Sequence, residues 1–133
     1  MNFNEVIGQE EIKERLTKMC RENRIPHAMM FCGPRGCGKM ALAMAFACYL
    51  LEGDFKESEV KRSEKSPMLA NMRHPDLHFT YPTIKLPSMS SDYKPVSDDF
   101  AREWHDMIME SPYFTMDRWM QAIGAENQQA IIT

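Results

Sequence analysis

Nothing in this 133-residue sequence stays apolar for long enough to cross a bilayer as a helix. Its longest such run, Met40–Leu51, has 12 residues, against the roughly 20 that a spanning helix needs. The opening MNFNEVIGQEEIKERL lacks both the basic start and the apolar stretch of a secretory signal. A cytoplasmic chain without a membrane partner is therefore expected. An excess of positive charge is missing too, since the formal net charge is −3. That argues against gripping nucleic acid through bulk charge. The four cysteines, Cys20, Cys32, Cys37 and Cys48, read as reduced thiols rather than a disulfide framework. No internal repeat is present, and no Ser/His/Asp or Cys/His arrangement can be argued from spacing. His27, His78 and His105 are too scattered to suggest a metal site.

What remains is an ordinary globular composition, 44% hydrophobic and 26% charged. One domain of this length buries roughly two-thirds of its unfolded surface. Thirteen methionines read as adaptable core packing, with a Met-rich partner surface as the sharper alternative. Gln9 to Arg24 predicts an amphipathic helix with Ile12, Leu16, Met19 and Cys20 as its stripe. Glu11 with Arg15 and Glu14 with Lys18 are expected to pair on its wet side. Ala28–Cys32 fits a strand buried on both faces. Met40–Leu51, apolar throughout, must be a helix surrounded by protein. Glu52–Ser66, nine of whose fifteen residues are charged, reads as a solvated connector, and Pro67–Arg73 as a short helix.

Asp76–Tyr81 alternates, so a strand with one covered face is expected, entered by a turn at His74-Pro75-Asp76. Pro82–Pro95, with three prolines and three serines, reads as a loop. Ser97 is expected to cap a helix carrying Asp98 and Asp99 in its first turn. Phe100, Trp104, Met107 and Ile108 form the apolar stripe of that helix. Thr115 caps a shorter one, with Met116, Trp119, Met120 and Ile123 as its stripe and Gly124 as its stop. Trp104 and Trp119 read as core. The organisation predicted is thus 1–51, a charged connector at 52–75, and 76–133.

The chemistry lies in MMFCGPRGCGKMALA, residues 29–43. A phosphate loop reads G-x-x-x-x-G-K followed by Ser or Thr. Gly33, Gly38 and Lys39 match it, and the expected strand and helix flank the loop correctly. Gly33, Gly36 and Gly38 allow a nest of backbone N–H groups, Pro34 stiffens the start of the loop, and Lys39 offers a cation for outer phosphates. Met40, however, stands where the hydroxyl belongs. Magnesium takes oxygen ligands, and a thioether is no substitute. Two readings stay open: weak nucleotide binding, and a scaffold turn that binds nothing. Cys37, near a helix N-terminus and beside Lys39, reads as a small loop filler or as a reactive thiol. Arg21, Arg24 and Arg35 read as a solvated face.

FNEVIGQEEIKERL, RIPHAMMFCGPRGCGKMALA and HPDLHF, in this order, resemble the N-terminal part of the delta-prime subunits of bacterial DNA polymerase III. Those subunits are clamp-loader members of the AAA+ family. The closing GAENQQA resembles the helix before the third strand of that domain, so the resemblance covers essentially the whole chain. It implies a partial AAA+ P-loop nucleotide-binding fold, α/β in three layers (α/β/α), cut short before the later sheet strands. It also implies a stator within the loader, working with other clamp-loader and DNA polymerase III subunits and touching DNA only indirectly. The resemblance places Val6 and Ile7 beside Gly8 and Gln9 against the adenine. With Gly33, Pro34, Gly36, Cys37, Gly38, Lys39 and Met40 they make up the expected nucleotide site.

The same resemblance implies no ATPase activity of the chain's own, though a P-loop ATPase that binds and hydrolyses ATP is the alternative. The expected ligand is at most weakly held ATP, ADP, phosphate or sulfate. No zinc is expected, because Gly53–Arg73 lacks the four cysteines that many relatives carry there. Cys32 and Cys37 flank the loop without a second pair, which reads as packing. Without the later strands, Ala28–Cys32 and Asp76–Tyr81 would lack partners. Unusual pairing or self-association is therefore predicted.

Overall fold

The computed structural model describes residues 1–53, 55, 66–125 and 127–132. Most of the expected connector, Asp54 and residues 56–65, lies outside the described residues, as do Glu126 and Thr133. The chain forms two compact units, Met1–Leu77 and His78–Thr133.

In the first unit a 3-10 turn, Phe3–Glu5, is capped from both sides. The Asn2 side chain accepts from the Asn4 N–H at 2.9 Å, and the Glu5 carboxylate accepts from the Asn2 N–H at 2.7 Å. Helix α1, Glu10–Arg21, starts behind Gln9, whose φ of 61° is unusual for a side-chain-bearing residue. Its buried face is Lys13, Leu16, Thr17 and Cys20 rather than the expected Ile12/Leu16/Met19/Cys20 stripe. Ile12 is 39% exposed and Met19 half-buried. Lysine can take a core-facing position because its methylenes pack while its ammonium finds acceptors. The Lys13 ammonium donates to the Val6 carbonyl at 2.8 Å and to Glu10 at 2.9 Å. The expected Glu11–Arg15 and Glu14–Lys18 pairs do not form; Lys18 lies instead 4.0 Å from Glu22.

Helix α2, Lys39–Glu52, follows the sequence expectation closely and ends at Gly53, whose φ is 72°. Ala41, Leu42, Ala45, Phe46 and Tyr49 join Phe3, Val6, Leu16 and Cys20 in one core cluster. The Phe3 and Tyr49 rings meet at 5.4 Å between centroids. On another side of α2, Met44 and Cys48 are buried, and the Cys48 sulfur lies 3.7 Å from that of Met72. Burial pushes the Cys48 thiol up from its usual range. Helix α3, Pro67–Ala70, is one turn that buries Leu69. At 74–77 the chain turns as expected, with the Leu77 N–H donating to the His74 carbonyl at 3.0 Å.

The strand expected at Ala28–Cys32 is absent. Those residues are irregular, and all but half-buried Phe31 are exposed. A parallel strand exists only by pairing, and among the described residues no segment supplies that pairing.

In the second unit, Phe79 and Tyr81 turn inward while His78 and Thr80 face out, as alternation predicts. No ladder accompanies it. The one β-type contact among the described residues is an isolated antiparallel bridge between Thr83 and Ile131. The three-layer α/β/α arrangement is therefore not seen among the described residues. An aromatic cluster holds this unit. Trp104 stacks on Tyr81 at 4.3 Å and meets Trp119 edge-on at 5.2 Å and Phe114 edge-on at 5.4 Å. The Trp119 indole N–H donates to the Pro82 carbonyl at 2.7 Å, whereas that of buried Trp104 has no acceptor.

Ser97 is not the expected cap. It lies within a 3-10 turn, Ser97–Phe100, that leads into helix α4, Ala101–Glu110. Its hydroxyl instead donates to the Tyr81 carbonyl and accepts from the Tyr81 N–H, both at 3.1 Å. A buried hydroxyl gains more from two backbone partners than from a solvated turn. Asp99 takes over the capping, accepting from the Val96 N–H at 2.9 Å. Helix α5, Met116–Ala122, is capped by Thr115 as expected and turns at Gly124. The described residues of Gly124–Ala130 are turn, bend and coil rather than helix.

Candidate functional site

The glycine loop joins the irregular segment 28–32 to α2. Gly36 and Gly38 have φ of 78° and 85°, left-handed values that favour residues without a Cβ. Gly33 has no such φ, but it packs closely: a Cβ there would stand 2.8 Å from the Cys37 sulfur, the tip of a side chain that would have to turn aside. The loop thus folds tightly onto itself. Lys39 completes the fold, its ammonium donating to the carbonyls of Gly33 and Pro34, each at 2.8 Å. The same nitrogen lies 3.8 Å from the Cys37 sulfur. From the residue that precedes α1, the Gln9 side-chain amide reaches over and donates to the Cys37 carbonyl at 3.1 Å.

A cavity of about 540 Å³ opens between this loop and α1. Of the residues expected to form the site, Gly33, Pro34, Cys37, Gly38 and Lys39 line it, while Gly36, Met40, Val6 and Ile7 do not. Val6 is buried in the core cluster and Ile7 is 79% exposed. Met40 is 38% exposed on the first turn of α2. Sequence reasoning missed the opposite wall: Ile12, Arg15, Leu16 and Met19 from α1, and Leu42 from α2. Their signal was present, since 12, 15, 16 and 19 share one face of a helix. Met29, Met30, Phe31 and Cys32, from the segment expected to be a strand, close the third side.

Chemically, the loop carries two cations, Arg35 and Lys39, and several small-residue N–H groups, but of the two only Lys39 lines the cavity, and it is tied to its own carbonyls. Magnesium finds no ligand in Met40, so the side chain after Lys39 does not fit that ion. Among the described residues no group of three or more His, Cys, Asp or Glu side chains could hold a metal. No helix among them is long and apolar enough to cross a membrane.

The chain is 46% identical over 46 residues to the DNA polymerase III subunit gamma/tau of Mycobacterium tuberculosis, covering 35% of this chain and 8% of that protein. It is 42% identical over 45 residues to DNA polymerase III subunit tau of Bacillus subtilis, covering 34% and 8%. It is 36% identical over 56 residues to the replication factor C small subunit of Sulfolobus acidocaldarius, covering 42% and 17%. The chain therefore spans less than a fifth of the length of these curated relatives. No solved structure matches it. A family model described as DNA polymerase III, delta subunit, matches residues 8–127, so the match takes in α1, the glycine loop, α2 and the whole aromatic cluster. The chain belongs to the DNA polymerase III delta subunit family.

Proposed function

We propose that this chain serves DNA replication as a delta-prime-like part of a clamp loader, working as a scaffold rather than as an ATPase. Its partners are other clamp-loader and DNA polymerase III subunits, and it touches DNA only through them. The reading rests above all on the glycine loop. Lys39 is engaged by the carbonyls of Gly33 and Pro34, and Met40 gives magnesium no oxygen. Phosphoryl transfer draws most of its catalysis from positioned phosphates and a metal that neutralises them. A loop that holds its shape without that metal keeps a structural use. When bound, a nucleotide's phosphates would lie against the N–H groups of Gly36 and Gly38 and the freed Lys39 ammonium.

The fold that goes with this reading is the AAA+ core, α/β in three layers. Titration of the chain with ATP, with and without magnesium, tests the proposal. Weak, magnesium-independent binding without turnover is expected. Micromolar, magnesium-dependent binding with hydrolysis would refute it in favour of a P-loop ATPase. Met40→Thr should introduce a magnesium dependence absent from the parent. Unchanged behaviour of that variant would mean that the loop does not cradle phosphate at all.

A further inference from the structure

Three large apolar side chains gather on one short stretch of the second unit's surface. Met109 on the last turn of α4, Tyr113 in the connection and Met116 on the first turn of α5 are 44%, 39% and 48% exposed. The Arg118 guanidinium donates to the Glu110 carboxylate at 3.1 Å and so draws those two turns together. Single apolar residues on a surface are ordinary, but three at one helix junction mark a contact face. Their types suit contact as well. Methionine adapts to a partner's shape, and tyrosine joins a rigid ring to a polar tip.

The rim of this face has one prevailing sign. Between Asp98 and Arg118 six exposed carboxylates stand against two arginines. Glu103, Asp106 and Glu110 recur at i, i+3 and i+7 along α4, so they share one side of the helix, beside Met109. Asp117 follows Met116 directly. Of the two arginines, Arg118 is already bound to Glu110. An acidic partner would be repelled here, and an uncharged one would strip water from the carboxylates without supplying a counter-charge.

We propose that the α4–α5 junction docks a basic amphipathic helix of a partner protein. Its apolar side chains would lie on Met109, Tyr113 and Met116, and its lysines or arginines against Glu103, Asp106 and Asp117. No residue of the glycine loop takes part, so this docking goes beyond the scaffold role, and each can fail while the other stands.

Fluorescence anisotropy of a dye-labelled helical peptide of leucine and lysine, about 15 residues long, titrated with the whole chain, tests it. Micromolar binding that weakens as salt rises is expected. Met116→Gln should weaken it about tenfold, the loss of an apolar anchor. Asp106→Lys should weaken it about as much and flatten the salt dependence. Both positions are exposed and outside the core, so folding is spared. Glu14→Lys, the same charge change on the exposed side of α1, should leave binding unaltered. Weakening by Glu14→Lys equal to that by Asp106→Lys overturns the proposal, because the attraction would then be bulk charge. So do the absence of binding, full affinity in Met116→Gln, and equal binding of a leucine–glutamate peptide. Dimerisation of the chain that Met116→Gln abolishes would overturn it too, since a second copy would then be the occupant.

Discussion

Gly33→Ala offers a test of the loop's packing that needs no ligand. The backbone at 33 is outside the left-handed region, so alanine meets no dihedral penalty there. Alone, that exchange should stabilise the protein by about 0.4–1 kcal/mol, through the smaller entropy of the unfolded chain. Against it stands the Cys37 sulfur, 2.8 Å from the new Cβ. The sulfur must leave its position and its 3.8 Å contact with the Lys39 ammonium, or the loop must open. Turning that half-buried side chain aside costs about 0.5–1.5 kcal/mol, so the gain should be cancelled. Removing the sulfur restores it. In a Cys37→Ala background, Gly33→Ala should stabilise by about 0.4–1 kcal/mol, giving a coupling of about 0.5–1.5 kcal/mol. Urea unfolding of all four proteins, followed by far-ultraviolet circular dichroism, measures both values. Coupling below about 0.5 kcal/mol would show that glycine at 33 is not dictated by the sulfur, and the tight loop described above would be wrong.

Ser97→Ala should destabilise the second unit by about 1–3 kcal/mol in thermal or urea melts, because it orphans the buried N–H and carbonyl of Tyr81. Trp119→Phe, which leaves the Pro82 carbonyl without its donor and a gap where the indole sat, should cost about 2–4 kcal/mol by the same measurement. Burial raises Tyr81 from 10 to about 12. Its phenol is thus kept neutral by folding, so stability is unaffected below pH 10 and falls between pH 10 and 12 as the unfolded phenol ionises and the folded one does not. Titration of phenolate absorbance should show a tyrosine ionising near pH 12, and complete phenolate formation in the folded protein by pH 11 would contradict the packing against Trp104.

The helices were legible in the sequence for local reasons. The alanine-rich run of α2, the Thr115 cap and the apolar spacing of Trp104, Met107 and Ile108 are all decided within a few residues. What could not be read was anything requiring a partner. Val6 and Ile7 illustrate this: neighbours in sequence, one sits in the core and the other in water. Lys13 was missed as a core residue because burying it depends on the Val6 carbonyl lying overhead. Ser97 carried a real capping signal, but a stronger pair of acceptor and donor at Tyr81 claimed its hydroxyl. The alternation in Phe79 and Tyr81 predicted which way each side chain faces, though not whether a ladder would form. The left-handed backbone at Gly36 and Gly38 was legible from the glycine spacing, whereas Gly33 does not share it. The α1 wall of the cavity was overlooked because Arg15 looked satisfied by Glu11.

Both tryptophans of the chain, Trp104 and Trp119, lie in residues 78–133, their ring centres 5.2 Å apart. Tryptophan emission, excited selectively, therefore watches residues 78–133 and is blind to the other unit. A chemical melt followed by fluorescence reports on the chromophores alone, while melting of the glycine loop and its two flanking helices passes unseen. Placing an added indole at Phe31, on the cavity wall, would give that silent half a voice of its own.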